Sequence, residues 1–296
     1  MYHLTVTDRA PQPAAAPDRT RRWWVRTIGV GIAAGFLSGL FGVGGGILMV
    51  PAMVLLLGME QRRSHGTSLT AILPIAISGT IGYSVEGSVD WPVAMWLTVG
   101  SAGLGAVIGT HLLHVLPRRA LAYGFAGLLV ATAVRMALDN SQAGGRAGLT
   151  VATVLILVAI GVVTGTLAGL LGVGGGIVVV PVLVVGLGLP AAVAKGTSLA
   201  MVVPTSLVGT WRNVKAHNTE LTTAAVMGVA GLASSFAATK ISVGLDETLS
   251  NRLFGALLLL VAVSMFRKER RAARAEATAE TTAAVEAPTV APATGS

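Results

Sequence analysis

Apolar residues fall along this chain in long blocks, with polar clusters only between them. Neither the strict alternation of a half-buried strand nor the stripe of a soluble helix appears. Blocks of this length predict membrane-crossing helices. They run from Thr27 to Gly58, Gly66 to Val85, Trp91 to Leu113 and Ala120 to Leu138. A second set runs from Leu149 to Leu189, Gly196 to Trp211, Leu221 to Ile241 and Leu253 to Phe266. The opening block of each set is anomalous. A crossing takes about 20 residues, so Thr27 to Gly58 is too long for one and too short for two. The cluster Gly42-Val43-Gly44-Gly45-Gly46 divides it into arms of roughly 15 and 12 residues, each reaching about half the bilayer at ~1.5 Å per residue. Glycine ends helices readily. The pattern predicts a helical hairpin that enters, turns at the glycines near the midplane and leaves on the same side. One long, kinked helix is the alternative.

The blocks come in two sets because the sequence does. Gly39-Leu40-Phe41-Gly42-Val43-Gly44-Gly45-Gly46-Ile47 returns, 130 positions later, as Gly169-Leu170-Leu171-Gly172-Val173-Gly174-Gly175-Gly176-Ile177. The same shift carries Pro51 to Pro181, Gly58 to Gly188, Gly66-Thr67-Ser68-Leu69 to Gly196-Thr197-Ser198-Leu199, Pro74 to Pro204 and Asp90 to Glu220. The predicted fold is therefore an all-α polytopic membrane protein of two repeats, residues 27–140 and 149–266. Each repeat is a glycine-broken helical hairpin, or short helix pair, followed by three transmembrane helices. Residues 1–26 (a basic tail) and 267–296 lack apolar periodicity and are expected to be disordered.

Composition fits this picture. Of 296 residues, 53% are hydrophobic and only 11% charged, against roughly 25% charged in soluble domains. The 38 glycines suit helices packed closely in lipid, and the lack of cysteine excludes disulfides and thiolate metal sites. A net charge of +8 would suggest nucleic acid for a soluble chain; here the position of each charge matters more, and no nucleic-acid partner is expected. With hairpins, 16 of the 21 Lys and Arg share one side: the two tails, Arg62-Arg63, Arg118-Arg119, Arg212 and Lys215. Glu86, Asp90, Asp139, Asp246 and Glu247 take the other side. A full span in place of the first hairpin would set Arg62-Arg63 against the N-terminal arginines. The positive-inside rule therefore favours hairpins and cytoplasmic termini. Three crossings per repeat, an odd number, also make the repeats inverted with respect to each other.

Irregular backbone inside a bilayer needs protein or a watery cavity to satisfy it. Two glycine turns related by a pseudo-two-fold axis would line such a cavity. Gly42, Gly44, Gly45 and Gly46, with Gly172, Gly174, Gly175 and Gly176, are the candidate substrate contacts, since half-helix N-termini offer N–H groups and a positive dipole end to a small oxyanion. The competing explanation is close helix packing. Thr67, Ser68, Thr197 and Ser198 either cap the spans they open or add hydroxyls to the site. Lys195, just before one triplet and equivalent to His65, is expected in an exposed loop or as a steering charge at the outer mouth. Pro74 and Pro204 kink their helices and free carbonyls near the cavity, or only shape the helices. No carboxylate lies deep in a span, which argues against an acid relay. His111 and His114 have metal-pair spacing, but their closeness to Arg118-Arg119 suits interfacial snorkelling better. No metal or cofactor is expected, and no enzymatic constellation appears. The glycine cluster lacks the third glycine of G-x-G-x-x-G, and Ala194-Lys195-Gly196-Thr197 inverts the order of a Walker loop.

The paired Gly-Val-Gly-Gly-Gly segments, each followed by Pro51 or Pro181 and then by Gly-Thr-Ser-Leu, resemble the sulfite exporter TauE/SafE family of bacterial membrane permeases. The resemblance covers about residues 27 to 266. It implies a multi-pass plasma-membrane transporter of sulfur-containing oxyanions or organosulfonates, with seven to nine spans. The expected partners are a small anionic substrate and the lipid bilayer, with a homo-oligomer as a further option. A membrane scaffold or partner subunit, its glycines serving packing alone, is the reading from a different class.

Overall fold

The computed structural model of the chain describes residues 20–105, 127, 129, 130, 133, 134, 148–172 and 174–286. All regular structure among them is helical. The first repeat contributes α1 (Arg21–Phe41), α2 (Gly46–Leu57), α3 (Gln61–Val85) and α4 (Trp91–Thr98), the last running into a π-helical stretch, Val99–Gly105. The second contributes α5 (Val151–Leu171), α6 (Gly176–Leu187), α7 (Ala191–Lys215), α8 (Leu221–Gly244) and α9 (Glu247–Glu286). The first three helices of each repeat begin and end at positions offset by the sequence shift of 130, so the duplication is structural down to single residues. Six described helices are long and apolar enough to cross a membrane: α1, α3, α5, α7, α8 and the Glu247–Ser264 part of α9.

The glycine-broken blocks fold back on themselves. Arg26 Nη1 donates to Leu56 O (2.9 Å), and a Cβ built on Gly45 would stand 2.6 Å from Ala34 O, so α2 returns along α1. The arms are unequal, however. At 21 residues α1 is about 31 Å long and could cross alone, whereas the 12-residue α2 reaches only ~18 Å. The extra length of α1 comes from Arg21 to Arg26, which the sequence pattern assigned to the tail; three of the six are arginine, a good helix former.

Equivalent helices α3 and α7 pack antiparallel. Gly66 approaches Asn213 and Asn218 O, while Gly196 approaches Tyr83 and Ser88 O; Leu69 reaches Gly209 and Leu199 reaches Gly79. Pro74 and Pro204 lie midway between these contacts. Glycine stripes then bind each hairpin's long arm to the opposite repeat. Gly31, Gly35 and Gly39 of α1 admit the α8 backbone at Met227, Gly231 and Ser235. Gly161 and Gly165 of α5 admit the backbone at Leu97, Gly100 and Ser101 in the same way. Close backbone approach of this kind is how helices associate where water supplies no hydrophobic drive.

Further boundaries differ from the sequence pattern. α3 and α7 start at Gln61 and Ala191, five residues before the Gly-Thr-Ser triplets, so Thr67, Ser68, Thr197 and Ser198 are interior to helices and cap nothing. Hydropathy placed the starts late because His65 and Lys195 interrupt the apolar runs. α9 continues to Glu286 through a segment expected to be disordered; its Ala, Arg, Lys and Glu content favours helix even without an apolar face. The Val99–Gly105 stretch is π-helical, whereas its equivalent in α8 is regular. His111, His114, Arg118, Arg119 and most of the fourth block of the first repeat lie outside the described residues.

Candidate functional site

The glycine clusters are shaped by backbone that other residues avoid. Gly42 (φ 71°) and Gly172 (φ 65°) end α1 and α5, their N–H groups returning to Ser38 O and Ala168 O. Gly45 (φ 75°) and Gly175 (φ 84°) are left-handed again and start α2 and α6. A side chain at either end would pay the steric cost of a positive φ.

The two clusters meet. A Cβ on Gly176 would lie 2.6 Å from Gly42 O and 2.9 Å from Val43 Cα. One on Gly174 would touch Val202 (3.1 Å) and Ile72 (3.5 Å), equivalent residues of α7 and α3 that stand two positions before Pro204 and Pro74. Hydroxyls from the antiparallel pair stitch the clusters together reciprocally. Ser68 Oγ donates to Gly172 O at 2.8 Å, and Ser198 Oγ donates to Gly42 O at 2.9 Å. One residue earlier, the N–H groups of Glu220 and Asp90 donate to Thr67 Oγ1 and Thr197 Oγ1, both at 2.9 Å. A contact in which residue i of one half meets j of the other, and j meets i, is the signature of a two-fold relation.

The predicted residues thus divide. Ser68 and Ser198 are brought to the glycines, but their protons are committed to glycine carbonyls of the opposite repeat. Thr67 and Thr197 fasten the inter-helix loops. Gly45 and Gly175 face the long arms of their own hairpins, at Ala34 and Thr164, rather than the opposite repeat. Pro74 and Pro204 sit at the centre, Pro74 packing 2.6 Å from a Cβ built on Gly228. The N–H groups of Gly44, Gly45 and Gly46, and of Gly174, Gly175 and Gly176, are buried and find no hydrogen-bond partner among the described residues. Buried backbone donors are normally paired. Six such donors lie at the N-termini of α2 and α6, where the helix dipole is positive.

Lys195 is where the structure overturns the sequence reading. It is neither in a loop nor at a mouth: only 1% of it is exposed, one turn inside α7. Its ammonium donates to Ser250 Oγ (2.6 Å) and Ser242 Oγ (3.0 Å) and lies 5.9 Å from the Phe41 ring centroid. Gly42 owes its lack of a side chain to this helix, since a Cβ there would fall 2.6 Å from Lys195 Cα. Ser242 Oγ in turn donates to Leu40 O, and Tyr83 Oη donates to Gly39 O. Sequence reasoning missed Tyr83, Ser242 and Ser250. A lysine inside an apolar run was the available signal; nothing marked its two serines.

Among the described residues no group of three or more His, Cys, Asp and Glu has metal-binding geometry. The sequence model of the family described as Sulfite exporter TauE/SafE matches residues 2–136 and 157–295. A "Probable membrane transporter protein" of Haemophilus influenzae is 30% identical over 81% of this chain and 96% of its own length. One of the same name from Xylella fastidiosa is 30% identical over 80% and 92%. The Bacillus subtilis "Probable membrane transporter protein YdhB" is 34% identical over 36% of this chain and 43% of that protein. No solved structure matches.

Proposed function

The chain belongs to the sulfite exporter TauE/SafE family of membrane transporters, and from that premise we propose that it moves a small sulfur-containing anion, such as sulfite or an organosulfonate, across the bacterial plasma membrane. The two repeats are inverted in the bilayer. The anion is held between them at the crossing of the glycine segments, by the N–H groups of Gly44 to Gly46 and Gly174 to Gly176. The observation that carries this reading is the pair of opposed, unpartnered helix N-termini midway along antiparallel α3 and α7. Such a site needs no counter-charge, only several oriented donors. Inverted repeats with broken helices at the midplane are the architecture on which alternating access operates.

The same packing supports cytoplasmic termini. It gathers Arg62 and Arg63 at the start of α3 beside Arg212 and Lys215 at the end of α7, opposite Glu86 and Asp90. A basic end facing the cytoplasm follows the positive-inside rule. The test is uptake of sulfite, thiosulfate, sulfate and 2-hydroxyethanesulfonate by liposomes holding the purified chain. Saturable uptake of one of the four above empty liposomes supports the proposal. No uptake of any would return the chain to a scaffold or partner subunit.

A further inference from the structure

We propose that Lys195 is the charged gate of the pathway: its ammonium pairs with the translocated anion at the end of the core where α3 finishes, and Ser242 and Ser250 occupy it when no anion is present. This rests on the transport reading above and adds a second subsite to it, one built on a side chain rather than on backbone N–H groups.

A lysine is almost never fully buried without a carboxylate. Lys195 is buried to 1% exposure and forms no ion pair among the described residues. What faces it is uncharged: the Phe41 ring from α1, Ser242 from α8 and Ser250 from α9. Glu247, on the first turn of α9, is turned instead to the α7 backbone, its Oε1 accepting from Ala191 N at 3.4 Å. Two neutral hydroxyls recover only part of the hydration an ammonium loses, and an ammonium has three donors to satisfy. An ionisable group held this way inside a membrane protein marks a pathway more often than a packing choice.

The position is specific too. The Lys195 backbone packs against Gly42, the first residue of one glycine segment, and its ammonium lies 5.9 Å from the ring centroid of the preceding residue, Phe41, at that end of the segment. The cover is separable. Ser250 and Phe254 are buried, the Phe254 ring centroid 5.8 Å from that of Phe41; both belong to α9, which follows the last inter-helix loop and takes no part in the α3–α7 contact. The two ends of the core are chemically unequal, since the residue equivalent to Lys195 is His65, whose backbone packs against Gly172 in the same way. One end therefore carries a lysine amine and the other an imidazole.

The experiment uses the full chain. Lys195→Met and Lys195→Arg are compared with wild type in liposome uptake of the four anions, and by the rise in unfolding temperature that each anion produces in detergent. Lys195→Met is expected to lower saturating flux at least tenfold and to erase the anion-induced rise. Lys195→Arg should keep a third or more of both. Wild-type flux and half-saturation in monodisperse Lys195→Met would overturn the proposal while leaving transport intact. A wild type that binds an anion through Lys195 yet moves none would overturn the transport reading and the gate with it, leaving an anion-binding lysine. Should Lys195→Met not fold, Ser242→Ala/Ser250→Ala decides. Freed of its competing hydroxyls, the ammonium should lower the half-saturating anion concentration severalfold, and an unchanged value contradicts the gate.

Discussion

Alanine at Gly42 separates what the glycine backbone requires from what the packing requires. Gly42 and Gly58 are both left-handed helix ends, at φ 71° and φ 64°. Alanine at Gly58 meets nothing within 4 Å, so it bears only the left-handed penalty, about 1–2 kcal/mol. Alanine at Gly42 bears that penalty and also drives its Cβ to 2.6 Å from Lys195 Cα and 2.8 Å from Lys195 O. Those are backbone atoms of a helix pinned along its length and cannot swing aside. Overpacking of this kind costs ~1–3 kcal/mol, giving ~2–5 kcal/mol in total. Gly29 supplies the opposite control. It is helical with nothing within 4 Å, so alanine there should stabilise the protein by about 0.5–1 kcal/mol. Reversible unfolding in mixed micelles should rank the variants Gly29→Ala above wild type, then Gly58→Ala, then Gly42→Ala. Equal losses at Gly42 and Gly58 would refute the close approach of the first glycine segment to α7, and with it the meeting of the repeats.

Two further outcomes follow from the reciprocal contacts. Thr67→Val and Thr197→Val each leave one loop N–H without its acceptor, so their destabilisations in the same assay should agree within error, at ~0.6–1.7 kcal/mol each. Clearly unequal losses would show that the two-fold relation fails at the loops. Gly35→Leu forces a side chain into the Gly231 backbone and should leave little monodisperse protein on size exclusion, whereas Gly169→Leu, with open space around it, should purify like wild type.

Much of this architecture is readable in the sequence because lipid leaves so few options. Long apolar blocks must be helices, and glycine clusters inside them must be breaks lined by protein. The shift that aligns Gly42 with Gly172 carries the bounds of the first three helices into the second repeat to the residue. What sequence could not supply is the neighbour. Lys195 was assigned to a loop because charge interrupts the apolar run there, yet Ser242 and Ser250 approach it from helices about 50 positions later in the chain. Ser68 and Ser198 carry the residue type of a cap or a ligand, and only the antiparallel packing reveals that each holds the other repeat's glycine turn. The length of α1 was hidden likewise, since a mix of arginines and tryptophans before an apolar block suits a headgroup-level anchor as well as a first helical turn. Trp23 is in fact buried, and Trp24 stands exposed beside it.

The relation on which everything else depends is that equivalent helices cross the membrane in opposite directions. Glu60 and Pro190 stand at equivalent positions just before α3 and α7, both exposed, in a chain without cysteine. Glu60→Cys and Pro190→Cys can therefore be labelled one at a time with a membrane-impermeant maleimide in intact cells and after permeabilisation. Inverted repeats predict that Pro190→Cys reacts in intact cells and Glu60→Cys only once the membrane is opened. Reaction of both from the same side would mean parallel repeats, and no shared site between opposed glycine segments.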